Sequence, residues 1–422
     1  MSPVRPRVVL VGRRLAPEDH RVRDFLTRTA QPYEWLEAGS AEADALLAGR
    51  GLADAELPVV IEFGSAIAGA TVEKVVEAWE QNRLPSHASY DVVIVGAGPA
   101  GLAAAVYAAS DGLSTLVLEH DVPGGQASHT SMIENFFGFP EGIGGAELAR
   151  LAGRQAERFG AELLVMRGLT GGTGGGAEPF EMHLHEGETV TASVVVAAGG
   201  MVWRRLEADG VEELLERGVY YGAGRSEAAQ CGDDAVVVVG AGNSAGQAVM
   251  NLAGAGARVT MAVRGDDLAK SMSAYLVRRI EAHPGIDVRL RTEVVGVESD
   301  DGHLATVELS SSGGGRERLE ARALFVCIGG RPRTAWTEGV GVQTDAAGFV
   351  LTGPDLLRDG RRPEGWPLDR DPLALETSLA GMFAAGDVRS GSTKRVAAAV
   401  GEGSMAIALA HRRLEELAQG RP

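Results

Sequence analysis

The chain has 422 residues, 45% of them hydrophobic, and carries 40 basic against 57 acidic side chains for a net charge of −17. That length allows roughly two to four domains with cores of their own, and an acidic surplus spread along the chain disfavours nucleic acid and anionic membrane surfaces as partners. No apolar run reaches the roughly 18 residues of a membrane span, Met1–Arg7 lacks a signal core, and two cysteines with nine scattered histidines offer neither a disulfide framework nor a metal site, so a cytoplasmic, metal-free protein is expected.

Residues 1–85 form a first α/β segment. Arg7–Val11 reads as a strand, Pro17–Arg28 as a helix, Tyr33–Leu36 as a strand, Ala41–Gly51 as a helix and Leu57–Ile61 as a strand; Phe63-Gly64-Ser65 turns the chain before a last helix, Val72–Gln81. This order, with Pro58 entering a strand, resembles the thioredoxin and glutaredoxin fold, and the resemblance implies a cis bond at Pro58. The loop that would carry redox cysteines, Val11–Glu18, has none, so a docking or structural role is expected. Gln81–Ala88 reads as a linker.

The stretch Tyr90–Glu119 reads as strand, glycine turn, helix and strand. Val92–Val95 leads into Gly96-Ala97-Gly98-Pro99-Ala100-Gly101, and Glu119 stands about 20 positions on, as in a dinucleotide fingerprint. Gly96 permits the tight turn, Gly98 the close approach of a pyrophosphate, and Gly101 close packing of helix on strand, while Glu119 is placed to accept hydrogen bonds from an adenosine ribose. Pro123–Ser128 and Ile133–Pro140 suit loops running past a flat polar ligand. A helix is expected over Glu147–Gly160. Gly171–Gly176 and Ser310–Gly315 read as hairpin loops, and Val194–Gly200 as a buried strand ending in a glycine turn.

A second fingerprint follows. Val236–Val239 leads into Gly240-Ala241-Gly242-Asn243-Ser244-Ala245, then a helix through Leu252 and a strand Val259–Val263. Arg264 ends that strand where an acid would mark NAD, and a guanidinium suits a 2′-phosphate, which favours NADPH; Lys270 is a second candidate cation, and Asp266-Asp267 keep NADH open. Two dinucleotide sites in one chain imply hydride transfer between nicotinamide and flavin. Leu324–Pro332 is another strand with a glycine turn, Gly381–Val388 presents Asp387, and a helix from Lys394 to about Glu416 offers its N-terminus to an anion.

These motifs, with Gly124-Gly125-Gln126, Glu134-Asn135, Ala197-Ala198-Gly199 and Gly386-Asp387, resemble the thioredoxin reductase family over roughly residues 88–422. The resemblance implies two Rossmann-like domains behind the thioredoxin-like one: an FAD domain over 89–208 and 327–422, interrupted by an NAD(P)H domain over 209–326. It assigns to FAD Gly96, Gly98, Pro99, Ala100, Gly101, Glu119, Gly125, Gln126, Asn135, Ala198, Gly199, Gly386, Asp387, Lys394, Arg395 and Val396. To NADPH fall Gly240, Gly242, Asn243, Ser244, Ala245, Arg264 and Lys270. A homodimer is expected on the same ground.

The sequence departs from the family at one place. Where the family carries its CxxC, this chain reads Tyr220-Tyr221-Gly222-Ala223-Gly224-Arg225, and Cys231 stands alone six residues later. The expectation is an NADPH-dependent FAD oxidoreductase that hands electrons to a ferredoxin-like carrier, a quinone or oxygen without a dithiol relay. A slow redox-sensing flavoprotein docking a partner through residues 1–85, and a disulfide reductase using Cys231, remain as alternatives.

Overall fold

A computed structural model of the chain describes residues 8–14, 16–79, 84–176, 178–222, 228, 230–337 and 339–420. The chain divides into two compact units, one comprising Met1–Trp79, His129–Met132 and Trp203–Gly329, the other Glu80–Ser128, Ile133–Val202 and Gly330–Pro422.

The N-terminal segment runs β1 (Val8–Gly12), α1 (Pro17–Arg28), β2 (Tyr33–Glu37), α2 (Ala41–Gly49), β3 (Val59–Glu62), β4 (Ser65–Ile67) and α3 (Val72–Ala78). Its sheet has the order β2-β1-β3-β4, with β1 parallel to β2 and antiparallel to β3. Pro17 opens α1, where its missing N–H has no helical use, and the Ser40 and Thr71 hydroxyls cap α2 and α3 by accepting from the Ala43 and Lys74 N–H groups. Helix α2 stops at Gly49 rather than Gly51, since Gly51 takes the left-handed conformation (φ +70°) that ends helices. Helix α3 stops at Ala78, and Gln81 lies outside the described residues. The Leu57–Pro58 bond is cis, as the resemblance implies.

From Ser89 the second unit builds β5 (Ser89–Val95), α4 (Pro99–Ser110), β6 (Thr115–Leu118), α5 (Gly145–Arg158), β7 (Glu162–Leu164), β8 (Leu169–Gly175), β9 (Glu178–Leu184) and β10 (Thr189–Ala197). After β11 (Met201–Trp203) the chain re-enters the first unit as β12 (Val219–Tyr221), β13 (Ala235–Val239), α6 (Asn243–Gly254), β14 (Arg258–Val263), α7 (Ala274–Glu281), β15 (Ile286–Leu290), β16 (Thr292–Asp300), β17 (His303–Ser311), β18 (Arg316–Glu320) and β19 (Ala323–Val326). It returns through β20 (Gly330–Pro332) to β21 (Met382–Ala384) and α8 (Val396–Ala418).

In the second unit the strands stand in the order β7-β6-β5-β10-β9-β8; β10 pairs antiparallel with β9 along its first half and parallel with β21 along its last three residues. The stretches Val92–Val95 of β5, Leu116–Leu118 of β6 and Val194–Ala197 of β10 are wholly apolar because the parallel core is covered on both faces, one of them by the small-residue helices α4 and α8. The inserted part of the first unit has a parallel sheet, β12-β19-β13-β14-β15, and a separate antiparallel one, β16-β17-β18.

Two loop expectations are corrected: Ser310 and Ser311 end β17, so the second hairpin loop begins at Ser312. Gly171–Gly175 is not a loop but most of β8. At two of its glycines the neighbouring backbone comes too close for a side chain: a Cβ on Gly172 would lie 2.6 Å from the Glu181 carbonyl oxygen, and one on Gly174 2.2 Å from that of Pro179. Among the described residues no helix is long and apolar enough to cross a membrane.

Candidate functional site

At the end of β5 the chain turns through Gly96 with φ +104°, a conformation that side chains rarely adopt. A Cβ on Gly96 would lie 2.5 Å from the Ala198 carbonyl oxygen, and one on Gly101 1.8 Å from that of Gly96. Both positions are closed by backbone. Gly98 differs: a Cβ there would meet no protein atom within 4 Å, so the turn opens onto free space at that residue. Gly98 is also the N-cap of α4 and no side chain caps that end, which leaves its first N–H groups directed at the same opening.

Small residues assemble the surroundings. Gly125 brings its Cβ direction to 3.5 Å from the Gly98 Cα, and Ala198-Gly199 pass beside Gly96. Ala100 is packed so closely by Gly386 and by Gly403 of α8 that a Cβ on Gly403 would lie 2.1 Å from the Ala100 carbonyl oxygen. The Gln126 side-chain amide donates to the Met201 carbonyl at 3.1 Å. Asn135 lies in an exposed loop between the bridged residues Ile133 and Ile143, in which Phe136 and Phe139 stack and Phe137 is 95% exposed.

Glu119 is buried, and its Oε2 accepts from the Ala97 N–H at 2.7 Å while Oε1 accepts from the Asp121 N–H at 3.0 Å and lies 2.8 Å from His120 Nδ1. The carboxylate expected at a ribose is therefore also the tie that holds the glycine turn, and each oxygen keeps further acceptor capacity. Arg333, half-buried and within the electrostatic reach of Glu119 and Asp121, was not legible in the sequence; burial lowers its pKa against the pull of those two acids.

The Asp387 carboxyl is raised above its ordinary range by burial, with Glu402 adding to the effect and Lys394 opposing it. Among the described residues no group donates to that carboxylate, because the Lys394 ammonium is bonded instead to the Asp387 backbone carbonyl at 2.6 Å and stands 4.3 Å from the Phe349 ring centre. Helix α8 starts at Val396 rather than Lys394. Arg395 is its N-cap and no side chain caps it, so this second helix end also presents bare N–H groups.

The second turn repeats the first. Gly240 has φ +143° and would set a Cβ 2.2 Å from the Cys327 carbonyl oxygen; Gly242, the N-cap of α6, again has nothing within 4 Å. Ala245 is fully buried under the turn, the helix-packing place of the third fingerprint residue. The side chains expected at phosphates are engaged by protein: Asn243 Oδ1 accepts from the Ser273 N–H at 2.7 Å, and the Ser244 hydroxyl bonds the Cys327 thiol. Backbone N–H groups are thus what this turn offers an anion.

Arg264 is exposed at the end of β14, while Lys270 is paired with Asp266 at 2.6 Å, which lowers the Asp266 pKa and raises that of Lys270. Arg291, missed in the sequence reading because it is remote along the chain, donates its backbone N–H to the Gly265 carbonyl at 2.8 Å and so stands beside Arg264.

Both cysteines are buried. Burial pushes the Cys327 thiol up to about 12, against smaller opposing effects of Ser244 and the Gly222 backbone. Cys231 is 6% exposed in the core beside Ala228 and Phe325. Of the stretch 220–225, Ala223-Gly224-Arg225 lie outside the described residues.

Two open glycine turns at uncapped helix N-termini, one with a half-buried, undonated carboxylate nearby in the sequence-assigned flavin set, fit two dinucleotides. The chain matches the pyridine nucleotide-disulphide oxidoreductase family over residues 90–403. It is 35% identical to a thioredoxin reductase of Neurospora crassa over 77% of this chain and 93% of that protein, and 32% identical to one of Bacillus subtilis over 78% and 96%. Among solved structures, the thioredoxin reductase of Lactococcus lactis superposes with a TM-score of 0.68 at 28% identity, covering 78% of this chain and 99% of that one. The chain therefore belongs to the thioredoxin reductase group of the pyridine nucleotide-disulphide oxidoreductases, and is an FAD-dependent enzyme served by NADPH.

Proposed function

We propose that FAD binds at the Gly96–Gly101 turn of a domain built from residues 89–208 and 327–422, that NADPH binds at the Gly240–Ala245 turn of a domain built from residues 209–326, and that electrons leave the flavin without a dithiol relay. When bound, the two groups supply hydride transfer from nicotinamide to flavin, a step governed by proximity and stacking. The chain's part is to bind and orient. Backbone N–H groups at α4 and α6 receive the diphosphates, Glu119 and Asp387 offer acceptors to ribose and ribitol hydroxyls, and Arg264 with Arg291 receives the 2′-phosphate. What favours NADPH over NADH is that Asp266, the acid that would compete for a ribose 2′-hydroxyl, is already engaged by Lys270.

The observation that carries the dithiol-free reading is the state of the two cysteines: burial raises the Cys327 thiol well above its ordinary range, and Cys231 stands alone and buried in an apolar core, so no exposed thiol pair is at hand. Residues 1–85 are read as a thioredoxin-like domain without cysteines, on the strand order β2-β1-β3-β4. The acceptor is then a one-electron protein carrier, a quinone or oxygen. Steady-state turnover with NADPH against ferricyanide, a soluble quinone and oxygen, compared between the native protein and Cys231→Ser, tests this. Unchanged rates are expected. A collapse of acceptor reduction in the variant with flavin reduction intact would establish a thiol route instead.

A further inference from the structure

Three parallel strands of the second unit, β6-β5-β10, end side by side, and the turn Gly96–Gly101 leaves from the middle one. A ligand of such a sheet lies outside the carboxyl ends of its strands, so the side chains that reach this edge decide what it can hold. Glu119 and Asp121 follow directly on β6 and bring two carboxylates. The cation at the same edge is Arg333, which arrives past the end of β10.

Backbone contacts deliver it there. A Cβ on Gly330 would lie 2.6 Å from the Val202 carbonyl oxygen, so β20 returns directly against the residues that follow β10, and the Arg333 N–H then donates to the Gly200 carbonyl at 3.0 Å. Gly199 links this point to the turn: a Cβ on Gly96 would come 3.0 Å from the Gly199 Cα, and one on Gly199 would come 3.3 Å from the Arg333 carbonyl oxygen and 4.0 Å from its Cδ. The Arg333 side chain thus starts beside the residue that backs the glycine turn, and its guanidinium feels Glu119 and Asp121 on the β6 side of that turn. It is half-buried, yet among the described residues no carboxylate or carbonyl bonds it. The Glu119 oxygens are engaged instead with the Ala97 and Asp121 N–H groups and with His120. A cation stripped of part of its water without a partner costs free energy, which an anionic ligand recovers. Two carboxylates at this edge also repel a diphosphate held at the uncapped end of α4. A guanidinium beside them offsets that repulsion, and its planar fork of donors matches phosphate oxygens.

We infer that Arg333 is a cofactor-binding residue whose guanidinium donates to the diphosphate of FAD at the Gly96–Gly101 turn, on the adenosine side marked by Glu119. The inference rests on the reading of that turn as the FAD site, and it adds a charged side chain where the turn itself offers only backbone N–H groups.

Titration of the flavin-stripped full-length protein with FAD, followed by flavin fluorescence, tests it in the native chain and in Arg333→Gln, Arg333→Lys and Gly98→Val. Arg333→Gln is expected to bind FAD at least about tenfold more weakly, and Arg333→Lys to fall between it and the native protein. Raising the salt from about 0.05 to about 0.5 M should weaken the native protein more than Arg333→Gln, which has lost the screened charge. The melting temperature of stripped Arg333→Gln should match that of the stripped native protein, because the guanidinium has no protein partner to lose. Native affinity in Arg333→Gln, with Gly98→Val binding no flavin, overturns the role of Arg333 and leaves the turn in place. Native affinity in both removes the turn as the FAD site and the inference with it. Weaker binding matched by a lower melting temperature of stripped Arg333→Gln marks a structural arginine and overturns the inference as well.

Discussion

Gly98→Val yields a folded protein that purifies without flavin. The backbone at this position has φ −69°, which valine accepts, and a Cβ there meets no protein atom within 4 Å, so the side chain starts into open space. The space it fills is the space that the uncapped N-terminus of α4 faces, and a diphosphate cannot share it. Affinity for FAD is expected to fall at least about 100-fold, or roughly 2.7 kcal/mol at 1.36 kcal/mol per tenfold. The flavin-to-protein absorbance ratio after gel filtration reads the loss, and the melting temperature of the flavin-stripped native protein serves as the fold reference. Gly101→Val is the counterpart. Its Cβ would fall 1.8 Å from the Gly96 carbonyl oxygen, so the turn itself must break and the melting transition drops or disappears. Stoichiometric flavin in Gly98→Val would remove the first turn as the FAD site.

Gly242→Val separates the two nucleotides. The N-cap of α6 has φ −84° and, like Gly98, opens onto free space, so valine is tolerated by the fold and excluded only by a bound diphosphate. The variant is expected to keep its full complement of FAD and to be reduced by dithionite as the native protein is. Its apparent affinity for NADPH should fall by about 100-fold or more, since the side chains of Asn243 and Ser244 are engaged with Ser273 and Cys327 and leave the backbone as the anion's main partner. Equilibrium binding of NADP⁺ together with dithionite titration separates this from general damage. Native affinity for NADP⁺ in Gly242→Val would place the pyridine nucleotide elsewhere.

The features that the sequence made legible are those with a local pattern. An apolar β run followed by glycines at fixed spacing announced both turns because each glycine answers a short-range steric demand, at Gly96 and Gly240 a positive φ against a neighbouring carbonyl. The helix Pro17–Arg28 could be read to the residue from its proline start and its apolar periodicity. Where the demand comes from a distant segment the pattern is silent. Gly172 and Gly174 look like loop residues because the Glu181 and Pro179 carbonyls that exclude side chains there lie on the partner strand. The tie from Glu119 to Ala97, the capture of Asn243 by Ser273, and the arrival of Arg291 beside Gly265 are all contacts across 20 or more residues, and no periodicity encodes them. The N-terminal segment showed its missing cysteines in the sequence, but not that Arg13 and Asp19 fill the loop where they would stand.

The central claim is that this chain moves hydride from NADPH to its flavin with no participating thiol pair. Anaerobic stopped-flow mixing of the purified holoprotein with NADPH tests it most directly, followed at the flavin absorbance band in the native protein and in a Cys231→Ser/Cys327→Ser variant. The account predicts rapid bleaching of the flavin in both, with electron uptake that ends at the two-electron capacity of the flavin alone. No bleaching with either NADPH or NADH, or reduction that requires the cysteines, would contradict it.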